Sequence, residues 1–162
     1  MATTLGVEDM LATKFQPLAK RQFILAIEGI DAFLVKSASR PTFTTEEVAI
    51  PYMNSTRYIG GRTTFNTMTV TMHDAVGPSG AQQVMEWIRA KYESVTGREG
   101  YADFYKRDIQ LKLLDPIGTV VQLWDIKGAF ITEANFNDVA YEGSDIVEIS
   151  LTLRYDNAVL QY

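Results

Sequence analysis

The chain has no cysteine and a single histidine among its 162 residues. Disulfides and thiolate metal sites are excluded, and zinc centres of the usual kinds need more His or Cys ligands than exist here. The absence of cysteine fits a reducing compartment. No hydrophobic run approaches the length of a transmembrane helix. The start, MATTLGVEDMLATKF, places Glu8 and Asp9 where a secretory leader carries basic residues, so no such leader is expected. A nucleophile–base pair is missing too. His73 and Asp74 are neighbours at a strand end, and adjacent strand residues point to opposite faces. Glu46 and Glu47 alternate in the same way. Gly60–Gly61, with Arg57 and Arg62, has the spacing of neither a P-loop nor a dinucleotide fingerprint, and the glycines read as hairpin hinges. Enzymes need a constellation that is not legible here. No catalytic residue, metal or cofactor is expected.

Surplus basic charge is also lacking. The net charge is −5, from 15 basic and 20 acidic residues. Residues 123–162 hold the whole surplus: Lys127 and Arg154 stand against Asp125, Glu133, Asp138, Glu142, Asp145, Glu148 and Asp156. An acidic face repels nucleic acid rather than gripping it, and it also serves solubility. Apolar residues at 46% and charged residues at 22% are ordinary for a globular chain, and the length suits one domain.

What is present is mostly strand. Residues 1–20, with Leu5, Val7, Met10, Leu11 and Phe15, are expected to form either an arm or a short helix ahead of the first strand, and an apolar arm there is either disordered or docked on a neighbour. In QFILAIEGI (22–30), Phe23, Leu25 and Ile27 share one face, the mark of a half-buried strand. Gly29–Asp31 then turns the chain, and AFLVKSA reads as the return strand of that hairpin. In FNTMTVTMHD (65–74), Met68, Val70 and Met72 point inward and Thr67, Thr69, Thr71 and His73 outward. That threonine row is β-prone yet wettable. A helix is expected over 79–96. Ser79 and Gln82 form a capping box, Ala81, Val84, Met85, Ile88, Tyr92 and Val95 follow the helical period, Trp87 flanks the stripe, and Gly97 stops it. REGYADFYKRD (98–108) reads as a loop. A strand alternating on Ile109, Leu111 and Leu113 follows, then an Asp115–Gly118 type I turn. The next strand is long, with a kink expected at Gly128. The last alternates on Val147, Ile149, Leu151, Leu153 and Tyr155. The fold class is mainly β: an antiparallel sandwich or barrel with one α-helix packed against it and a long protruding hairpin.

That hairpin, residues 42–66, is the unusual element. Ile50, Pro51, Tyr52, Met53, Tyr58 and Ile59 sit among turn and breaker residues. Pro51 has no N–H, so this is not a central strand of a closed sheet. Apolar residues near a hairpin tip are costly to leave in water. They lie either on their own domain or on another protein.

The chain resembles the tail tube proteins of contractile-tailed bacteriophages. The resemblance is carried by F-x-x-E-E-V-x-I-P-Y-M-N from Phe43 to Asn54 and by G-G-R-T-T-F-N from Gly60 to Asn66. It continues in the M-T-V-T-M strand, in E-W-I at 86–88, and in I-x-L-T-L-x-Y from Ile149 to Tyr155. Type VI secretion and phage-like bacteriocin tube proteins are similar in fold. The resemblance implies a β-barrel-like subunit forming six-membered rings that stack into a hollow tube inside a contractile sheath. It implies a virion tail assembled in the host cytoplasm, with sheath, baseplate and tail-terminator proteins as partners and no membrane. DNA passes through the lumen without specific binding. The inter-ring contact set is then Ile50, Pro51, Tyr52, Met53, Tyr58 and Ile59. Lumen candidates are Thr67, Thr69, Thr71, Asp125, Glu133, Glu142 and Glu148. Rival readings are a tube subunit of a DNA-free injection particle, a tube terminator or adaptor, a monomeric ligand-binding β-barrel, and a small enzyme.

Overall fold

The computed structural model describes Gly6 and residues 15–162, so most of the N-terminal arm lies outside the described residues. The strands are β1 (Phe23–Ile27), β2 (Val35–Ala38), β3 (Phe43–Tyr52), β4 (Ser55–Phe65) and β5 (Met68–His73). After helices α1 (Gly80–Lys91) and α2 (Ala102–Tyr105) come β6 (Arg107–Leu114), β7 (Val120–Asn135), β8 (Glu148–Arg154) and β9 (Asn157–Leu160). All pairings are antiparallel. One sheet runs β1-β6-β7-β8-β5-β2, with β9 also on β7; among the described residues β3 and β4 pair only with each other.

The 16-residue β7 is the spine. Its first part pairs with β6 and β9, its last part with β8. Between them Gly128 adopts φ +67° and makes a bulge, so the sheet turns and its two walls face each other. The expected kink is there. Asp108 fixes it by accepting the Gly128 N–H (3.3 Å) and pairing with Lys127 (2.9 Å), which together hold its carboxyl below the ordinary range. Asp156 packs where a Cβ on Gly128 would lie, and it pairs with Lys106 (2.7 Å).

Alternation dictates the core. Leu25 and Ile27, Ile109 and Leu111, and Ile126 come from one wall; Met68, Val70 and Met72, and Ile149, Leu151 and Leu153 come from the other. All are buried. α1 closes this core with Val84 and Trp87. Trp87 is the centre of the buried stripe rather than its flank. Its indole N–H donates to the Tyr105 carbonyl (2.6 Å), and the Arg107 guanidinium lies 4.9 Å from its ring centre. Burial pulls the Arg107 pKa down.

The structure corrects four expectations. Ala32–Ala38 is not the return strand of a β1 hairpin. Ala32–Leu34 is a 3₁₀ turn, and β2 pairs with β5. Asp31 is held by Gln83 of α1, which donates to Asp31 Oδ2 and accepts its N–H, so the chain leaves β1 toward the helix. Second, α1 ends at Lys91, and Tyr92 is extended. Gly100 comes back onto the helix end and donates to the Lys91 carbonyl (2.8 Å), and a Cβ there would overlap the Ala90 carbonyl. Gly97 (φ +70°) closes the turn after the helix instead. Third, the 98–108 loop contains the short α2. Fourth, the chain continues past Tyr155 into β9. The Ser79 cap holds, accepting the Gln82 N–H (3.4 Å), and Asp74 adds a second cap on the Ala81 N–H (3.3 Å).

Candidate assembly surfaces

β3 and β4 form a hairpin that stands apart from the core. It extends the β2–β5 ladder beyond the end of the sheet, since β2 leads into β3 and β4 into β5. Its base is pinned at Tyr155, whose phenol donates to the Thr42 carbonyl and accepts the Thr42 N–H, both at 3.2 Å. The Phe65 ring packs between Phe43 and Tyr155. Burial raises the Tyr155 pKa above its ordinary 10.0, partly offset by its hydrogen bonding to the Thr42 backbone. Beyond the base, every residue of both strands from Thr44 to Thr64 is exposed.

The register sorts the expected contact residues into two faces. Val48 sits opposite Ile59, Ile50 opposite Arg57 and Tyr52 opposite Ser55. These pairs share one face, which is largely apolar. Pro51 and Tyr58 belong to the other face, with Ala49 and Thr56, and Met53 is the tip at φ +50°. Val48, which the expected set omitted, completes the apolar face. Pro51 lies next to the pair flanking the two-residue turn, a non-hydrogen-bonded position where its missing N–H would point outward. The outer edge of β3 therefore resists strand addition there. Of the two glycines, Gly61 has the steric reason: a Cβ would press on the Val48 side chain at 3.2 Å and the Glu46 carbonyl at 3.1 Å. It sits where the register slips between Thr45–Thr63 and Glu47–Gly60.

The second surface is the outer face of the β2-β5-β8-β7 wall. Thr69 is opposite Thr152, Thr71 opposite Ser150, and His73 opposite Glu148, while Glu133 adjoins Thr152 from the other side. Their strand neighbours are core residues, so this row faces away from the core. Lys36 pairs with Glu148 on it. Four lumen candidates, Thr69, Thr71, Glu133 and Glu148, are thus brought together. Thr67 precedes β5 and is exposed, and Glu142 lies in the 136–147 connection. Asp125 does not share this wall. It faces outward from the β1-β6-β7-β9 wall, opposite Gln110, and accepts from Gln161 (3.0 Å). The turn at Gly128 separates it from Glu133.

No cluster of His, Asp or Glu suited to a metal ion occurs among the described residues. His73 lines a cleft under the 136–147 connection while Asp74 caps α1, so the two have separate roles. Among the described residues no helix is long and apolar enough to cross a membrane.

No protein-family model and no curated protein matches the chain. Solved structures do match. A chain of the anti-feeding prophage cap, described as a tube terminating cap, is 19% identical, with a TM-score of 0.75 over 97% of this chain and 99% of that one. A chain of the sheath-tube complex of an extracellular contractile injection system, PVC, is 19% identical, with a TM-score of 0.68 over 97% and 99%. The SPP1 tail tube is 15% identical, with a TM-score of 0.53 over 89% and 78%. The chain has the fold of tube and tube-terminating proteins of contractile injection systems and phage tails.

Proposed function

We propose that the chain is the repeating structural subunit of a tail tube, built of six-membered rings stacked into a hollow filament. The hairpin carries this reading. Its Val48, Ile50, Tyr52 and Ile59 face is left in water by the subunit, and an apolar face of this kind is sheltered by a partner. Ile50, Pro51, Tyr52, Met53, Tyr58 and Ile59 remain the inter-ring contact set, with Val48 added. An assembly of this kind requires roughly 2,000 Å² or more of interface. The polar wall with Thr69, Thr71, Glu133 and Glu148 lines the bore, joined by Thr67 and Glu142. Its outward groups are mostly uncharged, with Glu133 and Glu148 set against Lys36 and Arg154, and a face with no basic surplus suits passage without adhesion. The role is mechanical, not catalytic. Sheath, baseplate and terminator proteins are the partners, and the tube belongs to a particle tail assembled in a host cytoplasm.

Two payloads fit this tube. In a phage tail, DNA runs through the bore from capsid to host. In a DNA-free injection particle the same tube delivers something else, and a fold shared with anti-feeding prophage and PVC chains as well as a phage tail tube fits both readings equally. Electron microscopy of the concentrated purified protein tests the assignment. Filaments with a central channel support the tube subunit. Single rings point instead to a terminator or adaptor, and monomers to a ligand-binding barrel. Nuclease-protected DNA in native particles then separates the payloads.

A further inference from the structure

The surface that receives the hairpin tip is also encoded in this chain, on the premise that copies stack as proposed above. β5 runs from Met68, beside the hairpin base, to His73, and β8 runs back from Glu148 to Arg154. The hairpin and the 136–147 connection therefore leave the same wall from opposite ends. Along a straight ladder, β5 and β3 together put the tip ~50 Å from the connection of its own chain. Only another copy's connection is within reach.

The two ends match chemically. Between Val48 and Ile59 the only charge is Arg57, whereas the connection carries Asp138, Glu142 and Asp145 and no base. Both ends expose large apolar groups, Tyr52 and Met53 on the tip and Val139, Tyr141 and Ile146 on the connection. Beneath the connection is a cleft of about 820 Å³, lined by Lys36, which Glu148 neutralises, and by His73, whose Nδ1 is buried without a hydrogen-bond partner among the described residues. The rival seat, a cleft of about 720 Å³ between β1 and β2, shares Lys36 but adds Lys20, Arg21 and Arg40 and, among the described residues, no acid, so it is like in sign to Arg57. The geometry points to the acidic 136–147 connection and its cleft as the seat for the hairpin tip of a copy in the next ring. Charge complementarity sets the choice of seat, and apolar contact holds it.

Because the chain has no cysteine, an introduced pair reports alone. A Met53→Cys/Tyr141→Cys variant, assembled and oxidised, gives a disulfide ladder on a non-reducing gel. Each single variant, and Met53→Cys/Ser37→Cys, gives none. Filaments without a ladder, or a ladder from the Ser37 pair, overturn the seat and leave the tube standing. Wild-type protein that forms no filaments overturns the tube reading first. Should the cysteine variants fail to assemble, charge reversal decides. Arg57→Glu raises the critical concentration about tenfold, and Asp138→Lys or Asp145→Lys in the same chain restores most of it. An unaffected Arg57→Glu variant, or no restoration, overturns the seat.

Discussion

Replacing Ile50 and Tyr52 together by Asp separates folding from assembly. Ile50 is 45% exposed and Tyr52 68% exposed in the isolated subunit. Neither belongs to the core, so folding changes by no more than ~0.5 kcal/mol, as for other surface sites. Stacking has far more to lose. The exposed parts of the two side chains amount to ~200 Å², which at ~25 cal/mol per Å² is about 5 kcal/mol of apolar burial per contact. That alone raises the critical concentration more than a thousandfold, and two carboxylates in the interface add desolvation cost. Sedimentation velocity gives the assembly state, negative-stain microscopy gives tube length, and a circular-dichroism melt gives subunit stability. The expected outcome is a subunit melting within about 2 °C of wild type that forms no tubes at millimolar concentration. Tubes of normal length would refute the interface. A collapsed melting temperature would show that the hairpin supports the subunit itself.

Tyr155→Phe removes both hydrogen bonds to Thr42, should cost about 1 kcal/mol, and should speed amide exchange at the hairpin base. Its pH signature has a definite sign. The folded phenol titrates above the unfolded value of 10.0, so its contribution is complete below pH 10 and declines as pH rises toward the folded pKa. Alkaline melts of wild type should lose that increment and the variant should not. An identical alkaline slope in both refutes it. Gly128→Ala should destabilise by about 2 kcal/mol, roughly 4–8 °C, because a left-handed residue gains a Cβ that overlaps Asp156; a thermal melt equal to wild type would remove the bulge from the account. Trp87→Ala should cost about 3–5 kcal/mol by opening a cavity under α1, measured by urea unfolding. A loss below 1 kcal/mol would mean that α1 does not seal the core.

Strands were legible where one face is buried and the other wet, because that pattern is local and has period two. β1, β5, β6 and β8 all follow it. The hairpin was legible for the opposite reason: its apolar residues sit among breakers with no buried face to serve. What stayed hidden depends on residues far apart in sequence. β2 looks like the partner of β1 because it comes next, yet its ladder is with β5. The end of α1 is set by Gly100 folding back onto Lys91, and Gly97 offered a nearer and misleading stop. β9 is only four residues long, too short to show a period. Asp125 and Glu133 are both outward-facing acids on one continuous strand. Only the turn at Gly128 shows that they belong to different walls.

The sheet edges and the two unlike ends of one wall play different parts in the proposed stack: the edges close a ring, and the unlike ends give the stack a direction. Among the described residues β1 and β2 end the ladder, and β9 pairs on one side only. Open edges invite non-specific pairing unless something covers them. In a ring each free edge can meet the next copy, and a rotation that closes leaves none exposed. The hairpin and the acidic connection cannot close in this way, because they lie at opposite ends of one wall and are unlike each other. A contact between unlike surfaces that does not close produces an open filament with two different ends. Its length is then not a property of the subunit. The growing end presents either bare hairpins or bare seats, and a terminating protein of the same fold needs to lack only one of the two to stop growth.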